Sequence, residues 1–169
     1  PLQVLSSASH YFIGNSFQTV DRLRAMNSRH TIEISLDESS SRGISDGDLC
    51  RLYNDRGETF GYALIIESYL SGMVGTQKQL KGSSTPGGVN VNALNTEVLA
   101  DFGFGPSFYS VLAEIEKVSE EDAQFAKVRH WGGREGYLRM WRRLNPNDLL
   151  SDREILSAAE EETPGLFGD

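Results

Sequence analysis

The sequence of 169 residues is poor in the side chains that build disulfides and metal sites. Its only cysteine, Cys50, can form no disulfide within the chain, and no zinc or iron–sulfur site that needs several cysteines. Cys50 lies in a strand-like run with Leu49 and Leu52, which favours a small buried side chain over a metal ligand. The histidines also lack the spacing of a metal motif; they are His10, His30 and His130.

Positive charge and long apolar runs are scarce as well. The chain has 16 Lys and Arg against 24 Asp and Glu, a net charge of −8. Nucleic-acid binding needs clustered basic residues, so no nucleic-acid partner is expected. No apolar run approaches the ~18 to 20 residues of a membrane-spanning helix, so no transmembrane segment is expected and the chain reads as soluble. The length supports one domain with an appendage, and the start at Pro1 suggests a cut or processed piece.

Short strands dominate the first two thirds of the chain. The hairpin connection Asn54-Asp55-Arg56-Gly57 joins two of them and is rich in residues that tolerate positive φ. Many short strands with little helix indicate a closed β-barrel, because closure removes exposed strand edges. The strands are predicted at residues 2–5, 31–36, 49–53, 59–67 and 110–116, with a further short one within 68–75.

Helices and one long loop interrupt these strands. A short helix is predicted at residues 19–26, and another follows an N-cap at Asp37 and runs through Ser41, with Gly43 ending it in a left-handed conformation. Residues 78–90, rich in Gly and Ser, are predicted to form a long flexible loop.

Three segments carry the functional information. They read SHYFIGNSF at residues 9–17, SRGISDGDLCRLYNDRGE at residues 41–58, and VNALNTEVLADFGFGPSFYSVLAEIE at residues 91–116. Turns of this kind present backbone and amide groups to a polar ligand. In this order and at these separations, the three segments resemble the molybdopterin-dinucleotide-binding domain at the C-terminal end of the dimethyl sulfoxide reductase family of molybdenum/tungsten oxidoreductases. The resemblance covers roughly residues 1 to 117.

The resemblance implies a fold and a role. The fold is mainly β, a six-stranded double-psi β-barrel with short helices and a C-terminal helical extension. The role is to help hold bis(molybdopterin guanine dinucleotide), with Mo or W, only in the context of the full enzyme. The metal ligand and any iron–sulfur cluster would lie upstream, so the implied partners are upstream catalytic domains or a subunit of the same enzyme. The isolated fragment is expected to be inactive.

The resemblance also implies cofactor-binding residues in two loops. Gly14 stands where the family often has His or Asn, so one side-chain contact is lost and Asn15 and Ser16 are preferred. Asn92 opens N-A-L-N where the family has N-x-L-T, and Tyr109 can offer a stacking face and a hydroxyl. The full set is Ser9, His10, Gly14, Asn15, Ser16, Asn92, Asp101, Pro106, Phe108 and Tyr109.

Structural alternatives exist for these residues. Residues 14–16 can form an ordinary polar turn, Asn92 can cap the turn that follows it, and Phe108 can plug the barrel. Four further polar residues have the spacing of turn residues, and we assign them to local backbone bonding rather than to acid/base chemistry; they are Asp46, Asp48, Asp55 and Arg56. The alternative function is a non-enzymatic double-psi barrel interaction module, or a small separate subunit docking on a catalytic partner.

Composition changes after residue 117, so we divide the chain into a barrel domain, 1–117, and an extension, 118–169. Helices are predicted from Ser119 through Trp131, over 135–144, and from Ser151 through Glu162, followed by a mobile acidic tail. We expect the aromatic face of Trp131, Tyr137 and Trp141 to pack on the barrel exterior or on an upstream domain, the alternative being packing within the fragment. A cytoplasmic location is expected.

Overall fold

The computed structural model describes residues 1–27, 29–78 and 80–168; Gln79 of the predicted loop and Asp169 of the predicted tail lie outside them. Two 3-10 turns, Gly82–Ser84 and Val91–Leu94, lie between the fifth and sixth strands. The strands are β1 (Leu2–Ser7), β2 (Thr31–Ile34), β3 (Leu49–Tyr53), β4 (Glu58–Ile65), β5 (Met73–Gln77) and β6 (Leu112–Lys117). The helices are α1 (Asp21–Met26), α2 (Leu36–Ser41), α3 (Glu120–His130), α4 (Gly133–Leu144) and α5 (Asp152–Glu162).

The six strands close into a barrel in the order β1-β5-β2-β4-β3-β6. Two neighbouring pairs are parallel, β1 with β5 and β2 with β4, and the other neighbours are antiparallel. A parallel pair cannot be joined by a tight turn, so the chain must cross over between its members. The predicted double-psi barrel with short helices and a helical extension is confirmed.

Strand directions gather most of the long connections at one end of the barrel. Ser7 pairs with Gln77 at the end of the parallel β1/β5 pair, so the segments after both strands leave from the same edge. Glu58 pairs with Tyr53, which places the β3–β4 hairpin there as well, because β4 runs parallel to β2 and β2 antiparallel to β5. We call this the loop end; it carries residues 8–27, 29–30, 54–57, 78 and 80–111.

The barrel interior is filled by inward-facing aliphatic side chains. Val111, Ala113 and Ile115 are buried and alternate with polar or exposed neighbours, as the period of a half-buried strand requires. Cys50 is fully buried among them, and burial raises the pKa of its thiol to about 11. A thiol with this pKa stays protonated near neutral pH, so Cys50 is a core residue.

Several boundaries differ from the sequence-based prediction. The N-cap of α2 is Ser35 and not Asp37, since the Ser35 side chain accepts the Glu38 backbone N–H at 3.3 Å. Helix α1 begins at Asp21 rather than residue 19, and β6 begins at Leu112 rather than residue 110. Helix α4 begins at Gly133, directly after a left-handed residue, and not at residue 135.

The segment after β5 is anchored, although the sequence predicts a flexible loop. The Thr59 hydroxyl donates to the Val89 carbonyl at 2.8 Å, and the buried Thr85 hydroxyl lies 2.9 Å from the same oxygen. Gly87 lies so close to Phe60 that a Cβ at this position would overlap the ring. These contacts hold the middle of the segment against β4.

Helix α3 packs on the outside of β3 and β4 through Ala123 and Ala126, which cluster with Leu49 and Phe60. Glu58, 5% exposed, is the charged centre of this contact. Its carboxylate accepts from Arg51 at 2.5 Å, from Arg129 and from His130. Burial alone would raise the pKa of Glu58, but the hydrogen bonds and charges of the two arginines outweigh it and hold the pKa below its usual value.

The aromatic residues of the extension divide between two contacts. The Gly88 backbone lies against Trp131, so this ring touches the anchored segment of the barrel. Tyr137 instead stacks on Trp141 and meets Phe167 edge-on at 5.3 Å, so this part of the face packs within the fragment. The acidic tail, predicted to be mobile, has a buried anchor at Leu166, which clusters with Val128 and Ala159.

Candidate functional site

A cavity of about 150 Å³ opens at the loop end, and residues of the predicted segment 91–116 line part of it. It is lined by Asn92, Phe108 and Tyr109 from the segment between β5 and β6, by Ser6 from β1, and by Lys78 just after β5. Thus three of the ten predicted site residues line one cavity, together with two residues that the sequence-based prediction missed.

The β3–β4 hairpin positions the turn that carries Asn92. The Asn54 side-chain amide and the Arg56 guanidinium both donate to the Leu94 carbonyl, at 3.0 and 2.9 Å. Gly57 approaches Ala93 so closely that a Cβ would lie 2.7 Å from its carbonyl oxygen. The structural role predicted for Arg56 is confirmed, but its guanidinium bonds the distant turn that carries Asn92 and not local backbone.

Asn92 does not cap its own turn. The cap is Asn90, whose side-chain oxygen accepts the Asn92 N–H at 3.0 Å and whose amide donates to the Leu80 carbonyl at 2.9 Å. The capping alternative for Asn92 is wrong. Its side-chain oxygen instead accepts from the Asn95 amide at 3.3 Å, which leaves the Asn92 NH₂ group to donate into the cavity.

Phe108 and Tyr109 form one wall of the cavity, and both side chains remain partly exposed to solvent. Phe108 is 47% exposed, so the alternative that it plugs the barrel is wrong; Val111 is the buried residue of this segment. The Gln3 side chain donates to the Tyr109 carbonyl at 3.0 Å and fixes the backbone at this point. Both rings are therefore held at the surface of the loop end, where a planar ligand can reach their faces.

The loop after β1 makes a tight turn at residues 13–16. The Ser16 N–H donates to the Ile13 carbonyl at 2.9 Å, and Gly14 takes the positive φ of 60° that this turn needs. Asn15 and Ser16 are exposed. The buried Gln18 ties this loop to the other long segment by accepting the Lys81 N–H at 3.1 Å.

A second cavity, of about 250 Å³, is lined by residues of both long loop-end connections. Phe12 and Gln18 of the first loop line it together with Leu80 and His30. His30 is buried, with its ring nitrogens 2.7 Å from the Phe60 carbonyl and 2.7 Å from the Thr76 hydroxyl. Burial lowers the pKa of His30, which keeps the ring neutral and suits it to a structural role at the mouth of the barrel.

The remaining predicted site residues lie on loop-end connections without lining the first cavity. Asp101 is at the exposed tip of a short hairpin closed by the bridge between Leu99 and Pro106. Ser9 accepts the Tyr11 N–H at 3.2 Å, and the exposed His10 ring meets Tyr11 edge-on. Contact of these residues with a cofactor stays a prediction, as it does for Gly14, Asn15, Ser16 and the three residues in the cavity.

Sequence patterns could have indicated one of the two missed residues. Leu2 and Val4 face the barrel core, and Ser6 continues this period-two alternation to the mouth. A polar residue at the end of an inward-facing series marks the point where a barrel interior meets the loops. Lys78 carries no comparable signal, because its position depends on the crossover that places β5 beside β1.

The donor set fits part of a polar, phosphate-bearing ligand. The lining side chains carry an ammonium group, two hydroxyls, an amide and two aromatic rings, and none of the described residues brings a carboxylate to the cavity. Sites for whole ligands usually enclose about 300 to 1,000 Å³, so a cavity of this size holds one portion of a dinucleotide.

Across residues 1–27, 29–78 and 80–168, no cluster of three or more His, Cys, Asp or Glu residues could hold a metal ion. Nor does any helix in this part of the chain have the length and apolarity to cross a membrane.

A closed barrel with a polar partial cavity among its loops can hold part of a polar ligand. The family model described as the molydopterin dinucleotide binding domain matches residues 2–112, and the chain belongs to this family. Its ligand class is accordingly a molybdopterin dinucleotide, in a family of oxidoreductases.

The chain spans less than a fifth of the length of each of the following similar proteins. It is 30% identical over 127 residues to "Probable oxidoreductase YoaE" of Bacillus subtilis (strain 168), covering 70% of the chain and 17% of that protein. It is 25% identical over 130 residues to a putative dimethyl sulfoxide reductase catalytic subunit of Halobacterium salinarum, covering 77% of the chain and 15% of that protein. Acetylene hydratase from Pelobacter acetylenicus shares the fold over 70% of the chain and 18% of that structure, with a TM-score of 0.60 and 13% identity.

Proposed function

We propose that this chain is the C-terminal cofactor-binding domain of a larger molybdenum or tungsten oxidoreductase and that its loop end holds bis(molybdopterin guanine dinucleotide). The observation that carries the proposal is the cavity in which Lys78, Asn92 and Tyr109 of the β5–β6 connection meet Ser6 of β1. When bound, the cofactor supplies redox chemistry at its metal.

The residues of this chain would bind and orient the cofactor. The Asn92 NH₂ group and the hydroxyls of Ser6 and Tyr109 can donate hydrogen bonds to oxygen acceptors. The Phe108 and Tyr109 rings offer faces to a planar group and exclude water from its edge. Because the cavity encloses only a portion of such a ligand, the other contacts must come from other parts of the enzyme, and the isolated chain would bind weakly.

The loop end also exposes apolar side chains that need a covering surface. Phe102 is 98% exposed and Phe104 is 76% exposed, at the tip of the hairpin next to the cavity. Ile13 and Phe17 on the other loop are exposed as well. Clustered exposed aromatics of this kind mark interaction surfaces. We propose that upstream catalytic domains, or a subunit of the same enzyme, cover them, in the cytoplasm.

The test is the cofactor content of a protein that contains this chain together with its upstream sequence. The purified protein is analysed for molybdenum and tungsten by mass spectrometry, and for guanine nucleotide released by acid. The proposal predicts that metal and guanine nucleotide occur together and are both absent when residues 1–117 are deleted. Full loading of the deleted protein, or metal without guanine nucleotide in the intact one, would refute it.

A further inference from the structure

Lys78 sits at a fixed point of the loop end. Its backbone N–H donates to the Ser7 carbonyl at 2.9 Å, directly after the last pair of the β1/β5 ladder, Ser7 with Gln77. The sheet thus fixes the backbone of Lys78. The flexible four-carbon side chain lets the ammonium group adjust its position at the cavity that Lys78 lines.

The charge of Lys78 is not neutralised by the barrel. Many basic side chains of this acidic protein are paired, including Lys117 with Asp48, Arg42 with Glu38 and Arg142 with Asp152. Lys78 is half-buried, yet within residues 1–27, 29–78 and 80–168 no carboxylate forms an ion pair with it. A partly desolvated ammonium group of this kind favours an anionic ligand.

The groups beside Lys78 select the kind of anion. The Asn92 side-chain oxygen is engaged by Asn95, so Asn92 offers its NH₂ group, and Ser6 and Tyr109 offer hydroxyls that can donate. A pterin or guanine ring presents both donors and acceptors, but phosphate oxygens only accept. An ammonium group beside groups that can donate matches phosphate better than a heterocycle, because the phosphate carries the opposite charge.

We propose that Lys78 binds the diphosphate of the dinucleotide, with Asn92 and Ser6 donating to the same group. This inference rests on the proposed function and adds to it the part of the cofactor that the cavity takes. A single charge-assisted contact with phosphate corresponds to roughly a ten- to hundredfold change in dissociation.

The test compares Lys78→Gln with Lys78→Arg and with the control Lys81→Gln in the larger protein. Lys81 is an exposed lysine three residues further along the same segment, and its loss changes the net charge equally. Release of guanine dinucleotide is followed during dialysis at low and high salt. Lys78→Gln should release the dinucleotide roughly ten- to hundredfold faster, with a weakened salt dependence. Lys78→Arg should restore much of the retention, and Lys81→Gln should match the wild type.

Equal release from Lys78→Gln and Lys81→Gln would overturn the role of Lys78 and leave the proposed function standing. Absence of guanine dinucleotide from the wild-type protein would overturn both. If Lys78→Gln does not fold, lysine acetylation of the wild type decides the matter. Lys78 should be protected while the dinucleotide is bound and reactive after its removal, with Lys81 reactive throughout, and equal reactivity of Lys78 in both states would overturn the inference.

Discussion

Gly57 in the β3–β4 hairpin and Ala93 in the turn beside the cavity touch through their backbones, with room for no side chain at Gly57. A Cβ added to Gly57 would lie 2.7 Å from the Ala93 carbonyl oxygen. Tolerance of positive φ, which favours the sequence of this hairpin connection, does not explain Gly57, because its φ is not positive; close approach is the reason for glycine here. The hairpin is therefore a support for Asn92.

Gly57→Ala should lower the free energy of unfolding by about 1 to 3 kcal/mol, because the added methyl forces the two backbones apart. Chemical denaturation of the chain measures this loss. Gly105→Ala is the matched control, since a Cβ there meets no atom within 4 Å and the residue has no positive φ. Equal stability of the two variants would contradict the tight contact.

Asn92 and Asn90 should respond in opposite ways to alanine substitution. Asn90→Ala removes the turn cap and the bond to Leu80, and should cost about 1 to 2 kcal/mol of stability. Asn92→Ala removes no backbone bond and should leave the unfolding free energy nearly unchanged while lowering cofactor content. Denaturation curves and cofactor analysis on the same preparations check both. A destabilised Asn92→Ala with full cofactor content would contradict the assignment.

His30 gives the barrel a specific pH dependence. Burial lowers its pKa from the usual 6.5, so on acidification the unfolded chain binds a proton before the folded one does. The stability contributed by the neutral ring is complete above about pH 6.5 and falls as the pH drops toward the folded-state pKa. The free energy of unfolding should therefore decrease more steeply between about pH 7 and 5 in the wild type than in His30→Gln. Parallel curves for the two proteins would show that the ring is not buried in neutral form.

The packing of the C-terminal tail depends on the buried side chain of Leu166. Replacing this buried side chain with alanine should destabilise the extension by about 2 to 4 kcal/mol and speed amide exchange at Val128 and Ala159, which it contacts. Leu149→Ala is the control because that leucine is 97% exposed. Unchanged exchange in Leu166→Ala would show instead that the tail is mobile in solution.

Local sequence patterns account for the strands that could be predicted. Val111, Ala113 and Ile115 alternate, and the Asn54–Gly57 turn separates two strands, so β3, β4 and β6 follow from pattern. The parallel pairing of β1 with β5 joins residues about seventy positions apart, and only the resemblance supplied it. The position of Lys78 depends on that pairing, and for this reason local patterns did not predict Lys78 in the cavity. The sequence predicts Asn92 as a site residue. It does not predict that Asn90, rather than Asn92, caps the turn and so leaves the Asn92 side chain able to bind a ligand.

Cofactor binding at the loop end is tested most directly by a crystal or cryo-electron microscopy structure of the cofactor-loaded protein, which shows the barrel end that the dinucleotide touches. We expect hydrogen bonds from Asn92 and Lys78 to the dinucleotide and ring contact with Tyr109, all at the loop end. A dinucleotide bound at the opposite end, beside the Asp46–Gly47 turn that precedes β3, would contradict the proposed function.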